Sequence, residues 1–276
     1  MFKRKILEKL EEWKNANRHK PLILRGARQV GKTTLVNEFG SHFENYLYFN
    51  MERNENVKLF EMDINIDDLV SMLFASLGKA KKEGKTLIFI DEIQNSPKTI
   101  ALLRYFYELR PDLYVIAAGS LLENLVDVKV SFPVGRVQYL ALRPCPFYEF
   151  LGAIAKNDLL AILSQRPEYT VAFHEQLMHQ FNQYAIIGGM PEAIQQYAET
   201  KDVVAIEDVY ETLVQAYKDD AEKYVVGNKL TDTVRFIRSY GWAFAGETIT
   251  LGNFANSGYK SREVGDAFRL LEKAML

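Results

Sequence analysis

Apolar and polar positions fall into two regimes along this chain. Between residues 20 and 142, short apolar runs alternate with stretches of helical spacing. The runs at 21–24, 46–49, 86–91, 113–118 and 137–142 predict five strands. The run at 86–91 is apolar almost throughout, as expected of a strand covered on both faces. Helical spacing recurs at 32–39, 66–77 and 97–109, and an amphipathic helix at 2–16 places Phe2, Ile6, Leu10 and Trp13 near one face. Alternating strands and helices predict an α/β fold with a parallel sheet. Beyond Pro144 the pattern is helical only, to about residue 225. Its clearest stripe is Ile206, Val209, Tyr210, Leu213, Val214 and Tyr217, with Asp202 as the expected N-cap. Gly188-Gly189-Met190-Pro191 interrupts this region, and Pro191 suits the first turn of a following helix. Residues 228–276 hold several short helical patterns. No internal repeat or low-complexity tract is present.

Composition narrows the picture. The 276 residues are 48% hydrophobic and 25% charged, which is ordinary for a globular chain long enough for one to three domains. A net charge of −2 means that any nucleic-acid contact needs a local basic patch. The sole cysteine, Cys145, excludes an internal disulfide and fits a reducing compartment. Glu8, Glu11 and Glu12 follow the basic start at once, which argues against a signal peptide. No apolar run approaches the roughly 20 residues of a membrane helix. The expectation is a cytoplasmic protein with no membrane partner. The lysine-rich connector at 78–85 reads as a solvated loop.

The chemistry begins at Gly26-Ala27-Arg28-Gln29-Val30-Gly31-Lys32-Thr33, which meets the pattern G-x-x-x-x-G-K-[ST] in full. Glycines let the backbone curl so that successive N–H groups face phosphate oxygens, and the next helix adds its N-terminal partial charge. Lys32 is expected at the β- and γ-phosphates, the Thr33 hydroxyl on Mg²⁺, and Thr34 completes the nucleotide-binding set. The loop follows an apolar strand and opens a helix, the context that makes the pattern specific. The nucleotide expected there is ATP. Asp91 and Glu92 end the third strand. Asp91 is the second expected Mg²⁺ residue, and Glu92 is placed to orient and polarise an attacking water.

Two further candidates lie downstream. Ser120 follows the fourth strand, where a hydroxyl meets the γ-phosphate or the lytic water, or caps a helix at 121–126; both roles are compatible. Arg136 precedes the fifth strand. It stabilises charge on the transferred phosphoryl, in cis or across a subunit interface, or it forms a surface ion pair. His174 and His179 resemble a zinc-protease pair but stand five apart rather than four, so they miss a common helix face. Cys145, between two prolines, reads as structural.

These features are similar to the AAA-like P-loop ATPases of prokaryotes that carry a helical lid and a winged helix after the core. More specific matches are Asp91-Glu92-Ile93-Gln94, Gly119-Ser120, Gly135-Arg136-Val137 and Leu142-Arg143-Pro144. Phe147-Tyr148-Glu149-Phe150 and Gly188-Gly189-Met190-Pro191-Glu192 add to them. Together they resemble a family of ATPases whose members usually continue into a nuclease-like C-terminal domain. The resemblance covers roughly residues 20–276. It implies a five-stranded core over 1–144 with strand one central beside strand four, a helical lid over 145–227, and a partial winged helix over 228–276. In that winged helix, 250–256 is the expected second helix and 261–275 the third. Seven basic against five acidic residues across 228–276 lend the DNA partner little support. A homo-oligomer is the other implied partner. The final residues fall mid-pattern, so the expectation is a shortened chain.

The leading reading is Mg²⁺-dependent ATP hydrolysis coupled to movement of the lid and C-terminal region. The alternatives are a nucleotide-gated binding switch with little turnover, and a DNA-associated ATPase of a defence or mobile-element system.

Overall fold

The computed structural model describes residues 2–119, 133, 135–165, 167–224 and 228–273. Five strands form one parallel sheet: β1 (Leu22–Arg25), β2 (Asn45–Asn50), β3 (Thr86–Asp91), β4 (Leu113–Gly119) and β5 (Gln138–Ala141). Their order is β2-β3-β4-β1-β5, so the first strand is central beside the fourth, as the resemblance implies. β3 and β4 are buried along their whole length, which is why their sequences lack polar alternation. β5 is an edge strand and mostly exposed.

Helices cover both faces of the sheet. α1 (Ile6–Asn15) and α2 (Lys32–Gly40) bring Trp13 and Phe39 into ring contact with each other, and Trp13 also meets Tyr114 of β4. α3 (Asn54–Phe60), α4 (Ile66–Ser76) and α5 (Pro97–Leu109) share a core with Phe49, Ile88, Ile90 and Val115. Alternate strand residues thus serve opposite faces, the two-residue period of a strand. Asn65 and Ser96 cap α4 and α5 by accepting from the backbone N–H groups of Asp68 and Thr99. α3 carries too short an apolar pattern to be predicted: of its seven residues only Phe60 is fully buried.

After β5 come α6 (Phe147–Ala153), α7 (Asn157–Gln165), α8 (His174–Ile187) and α9 (Pro191–Thr200). Leu151, Leu159 and Leu177 form a small core among α6, α7 and α8. The Gly188-Gly189 break now has a mechanism. Gly188, at φ 75°, ends α8 in a conformation that side chains resist. Gly189 lies against the Cys145 backbone, whose N–H donates to the Gly189 carbonyl at 2.7 Å. A Cβ there would stand 2.5 Å from the Cys145 carbonyl oxygen. Pro191 opens α9 at its first turn. Asp202 is not the N-cap: it accepts from the Val204 N–H at 2.9 Å, and Val203 is the N-cap of the 3₁₀ turn Val204–Ile206 that leads into α10 (Glu207–Tyr224).

The chain divides into two compact units, Met1–Val209 and Tyr210–Leu276, with the boundary inside the first turn of α10. The second unit also holds α11 (Asn228–Tyr240) and α12 (Ser261–Lys273). Its own core comprises Val234, Ile237, Phe254, Val264 and Ala267. The helix expected at 250–256 is not formed. Only the 3₁₀ turn Phe254–Asn256 occurs there, because Asn253, Ala255 and Asn256 all take left-handed backbone angles (φ 49° to 57°). Phe254 is buried without a helix around it. Among the described residues no helix is long and apolar enough to cross a membrane.

Gly189→Ala should lower the thermal unfolding midpoint, at a cost of about 1–3 kcal/mol for backbone displacement. Gly152→Ala is the control: its Cβ would meet only Leu160 Cδ2 at 3.6 Å inside α6. Alanine is the better helix former, so that variant should melt at or above the parent temperature. Equal midpoints for the two variants contradict the close approach at Gly189.

Candidate functional site

β1 ends at Arg25 at the carboxyl edge of the sheet, and the glycine-containing loop follows. Its two glycines do different work. A Cβ on Gly26 would lie 2.5 Å from the Leu142 carbonyl oxygen and 2.9 Å from Val30 Cγ2. That crowding arises because the Leu142 N–H donates to the Arg25 carbonyl at 2.7 Å, stitching the exit of β5 to that of β1. Gly31 has φ 91° and is the N-cap of α2, a left-handed position that glycine takes without strain. Gln29 also takes a left-handed angle, φ 61°. Inside the curl, Lys32 Nζ donates to the Gly26 and Ala27 carbonyls, both at 2.9 Å.

Thr33, the next residue of α2, donates its hydroxyl to Asp91 Oδ2 at 2.6 Å. This bond joins two motifs 58 residues apart. Asp91 ends β3 and is only 2% exposed. Its carboxylate also accepts the Glu92 N–H at 3.1 Å and the Tyr48 hydroxyl at 3.4 Å. Burial raises the Asp91 pKa above the ordinary carboxylate value; the Thr33 bond pulls the other way, and the Glu92 charge adds to the rise. Burial and the Asp91 charge likewise raise the Tyr48 pKa. A hydroxyl and a carboxylate side by side are hard oxygen donors, the chemistry that suits Mg²⁺.

Glu92 takes φ 52° and ψ 41°, a left-handed conformation that costs a non-glycine residue energy. It turns the chain out of β3 into the 3₁₀ turn Ile93–Asn95. Gln94 Nε2 donates to Glu92 Oε2, so the carboxylate is held by its own turn.

A cavity of about 540 Å³ gathers these pieces. Arg28, Gln29, Gly31, Lys32, Thr33, Thr34 and Glu92 line it, together with Phe2 and Arg4 from the chain start. Leu35 and Glu38 of α2, Glu52 after β2, and Pro191, Glu192 and Gln195 of α9 complete the wall. Gly26, Ala27 and Val30 are buried behind the loop. A larger cavity of about 940 Å³ lies among α1, α6, α7 and α9, and shares only Phe2 and Gln195 with the first. It contains neither the loop nor Glu92, so the smaller cavity is the candidate site; Asp91 is buried behind its wall, bonded to Thr33.

Two expected residues do not join it. Ser120, and the helix expected at 121–126, lie outside the described residues. Arg136 stands at the opposite edge of the sheet. β5 runs parallel to β1 with Gln138 opposite Leu22, so a residue preceding β5 sits at the amino edge. The loop begins a strand length away, roughly 13 Å for four residues. Arg136 Nε instead donates to Glu108 Oε1. That bond, with help from Arg104, holds the Glu108 carboxyl below its usual range. The surface ion pair is what the structure displays, and the loop of the same chain is out of reach.

Sequence patterning missed Arg4, Glu149 and Gln94. Arg4 is one of three consecutive basic residues and nothing local distinguishes it. Glu149 and Gln94 stood inside segments that the resemblance singled out without a role. Cys145 is buried, and burial pushes its thiol up to about 12, as befits a structural residue.

Two family models match the chain. Residues 18–151 match an AAA domain. Residues 178–276 match a domain of unknown function, DUF8612. No curated protein matches the sequence. Among solved structures, the Walker-type ATPase PABY2304 of Pyrococcus abyssi superposes with a TM-score of 0.58 at 18% identity, covering 99% of this chain and 90% of its own. The ORC2 protein of Aeropyrum pernix, in ADPNP–ADP complexes, gives 0.51 at 12% identity, covering 98% and 83%. The fold is therefore that of a P-loop ATPase of AAA-like type, with a helical region after the core.

The raised pKa of Asp91 makes a signed prediction. Its folded value exceeds the unfolded one, so the folded state binds the extra proton between the two values. Stability from this group is present at low pH and lost as pH rises through the folded pKa. Asp91→Asn retains an acceptor for Thr33 but no charge. The variant should melt higher than the parent at pH 7 without nucleotide or divalent cation, and the gap should close as pH falls into the carboxylate range. An equal or lower midpoint at pH 7 contradicts it.

Proposed function

We propose that this chain binds ATP with Mg²⁺ and hydrolyses its terminal phosphoanhydride. The observation that carries the reading is the 2.6 Å bond from the Thr33 hydroxyl to Asp91. It joins the phosphate loop to the end of β3, beside a carboxylate that lines the same cavity. In this reading the loop N–H groups from Gly26 to Thr34 surround the phosphates and Lys32 neutralises them. Thr33 and Asp91 would hold Mg²⁺, which would supply charge withdrawal from the terminal phosphates. Glu92 orients water and takes its proton as the new P–O bond forms and the β–γ bridge breaks. Ser120 remains the candidate for contact with the γ-phosphate. Arg136 acts only on a nucleotide held by a neighbouring subunit, which makes a homo-oligomer part of the proposal. The match of residues 18–151 to an AAA domain and the nucleotide complexes of the Aeropyrum pernix neighbour support ATP as the ligand.

Residues 1–144 act as the core, 145–227 as a lid that moves with nucleotide state, and 228–276 as a winged-helix-like region. The contribution of α9 residues to the cavity supports the lid assignment.

A second reading is a nucleotide-gated switch with slow turnover. The Gln94–Glu92 bond favours it, because a carboxylate held by an amide is less available to water. DNA association is the third, and it predicts hydrolysis stimulated by duplex DNA.

The test is steady-state ATP hydrolysis with and without DNA. Lys32→Ala should lose nucleotide binding. Glu92→Gln should bind ATP as the parent does while kcat falls about a hundredfold or more. Turnover unchanged in Lys32→Ala excludes hydrolysis at this site. Parent turnover no faster than that of Glu92→Gln, with ATP binding intact, gives the switch reading.

A further inference from the structure

Arg4 lies at the start of the chain, yet it is buried. Its guanidinium reaches three segments that are distant in sequence. Nε donates to Glu149 Oε2 at 2.7 Å in the first turn of α6. Nη2 donates to the Arg143 carbonyl at 2.7 Å, just past β5. Nη1 donates to the Val30 carbonyl at 3.0 Å, inside the phosphate loop. Glu149 is equally buried, with side-chain exposure of 5% against 10% for Arg4. Its other oxygen accepts the Lys5 N–H at 2.7 Å.

The bond to Val30 matters because of which peptide it holds. The Val30 carbonyl and the Gly31 N–H belong to one planar unit. In a trans peptide they point in opposite directions, and no cis peptide bond occurs among the described residues. A donor that pulls the carbonyl out of the loop aims the N–H into it. Gly31, at φ 91°, accommodates that orientation. Arg4 lies beside the same residue, at the cavity wall: a Cβ on Gly31 would stand 3.9 Å from Arg4 Nη1 and 3.8 Å from Pro191 Cγ.

We propose that Arg4, paired with Glu149, is a positioning residue for the phosphate loop, fixing the Val30–Gly31 peptide and making its orientation depend on where α6 sits. The ligand part of this inference rests on the ATP reading above. A buried guanidinium needs a counter-charge to stay in place, and only α6 supplies it among the bonds described. α6 in turn reaches α9, since Phe150 stacks on Tyr197. α9 carries Pro191 and Glu192 into the cavity wall. A displacement of the helices after β5 thus moves the guanidinium and releases a phosphate-facing N–H. Arginine suits the position because its planar fork reaches three spread acceptors from three separate nitrogens, whereas the three donors of lysine all leave one atom.

Arg4→Lys and Glu149→Gln in the full chain test this. Each variant is to be compared with the parent for ATP affinity with Mg²⁺ by calorimetry, for kcat and KM, for thermal midpoint, and for amide hydrogen exchange across residues 26–33. Arg4→Lys should weaken ATP at least tenfold and raise KM in step, with kcat changed less than threefold and a cooperative melt retained. Its loop amides should exchange faster than those of β3. Glu149→Gln should act in the same direction, and the double variant should lose less than the sum of the two. A merely structural pair lowers the midpoint and leaves affinity within twofold, and that result overturns the proposal. If Arg4→Lys does not fold, Glu149→Gln decides by the same criteria. If the parent binds no ATP, the function above fails, and the exchange measurement then decides this inference alone: unchanged loop exchange overturns it.

Discussion

A loop that turns its N–H groups toward one point must turn some carbonyls the other way, and buried carbonyls need donors. Much of the first unit is arranged around that requirement. Lys32 serves the Gly26 and Ala27 carbonyls from within the curl. Arg4 serves the Val30 carbonyl from outside the curl. The Leu142 N–H serves Arg25, the residue before the loop. The donors come from the loop's own helix, the chain start and the exit of β5. Any of these three moving alone leaves a polar group buried without a partner, which typically costs about 1–3 kcal/mol. The loop is therefore stiff only while its surroundings stay assembled, and the helices after β5 belong to those surroundings through Glu149.

Most of the fold was legible because the sheet is parallel and covered on both faces. Burial on two sides removes polar residues from β3 and β4, and such runs stand out against the flanking polar segments. The core of the site was legible for a different reason. Glycine spacing and a lysine-threonine pair are local consequences of backbone geometry, so they appear in contiguous sequence. Asp91 and Glu92 could be placed because a strand's carboxyl end in a parallel sheet always lies at the same edge as the loop.

That same rule argues against Arg136 acting on its own loop, and it was available in the sequence. A residue just before a parallel strand lies at the amino edge, and Arg136 precedes β5. What could not be read were contacts without a local signature. Arg4 sits among basic neighbours, and its partner Glu149 is 145 residues away. Residues 250–256 failed differently. Phe254 is buried by a turn built on left-handed angles, and an apolar residue looks the same in sequence whether a helix or a turn buries it.

Several of the costs in this unit fall at one edge of the sheet, while Ala155 and Lys201 take left-handed angles in the helical region. The strand interiors are apolar and relaxed. At their carboxyl ends stand a buried carboxylate with a raised pKa, Asp91, and two non-glycine residues with left-handed backbones, Gln29 and Glu92. Each opposes folding, and strain of this kind persists only where neighbouring structure over-determines it. The Asp91 burden has a clear sense. A desolvated anion that accepts from Thr33, Tyr48 and a backbone N–H is hydrogen-bonded, but its charge is offset only in part, by Lys32. In the proposed function, a divalent cation beside Thr33 would answer that charge directly, and the cost carried by the folded chain would become affinity for the metal that accompanies the nucleotide.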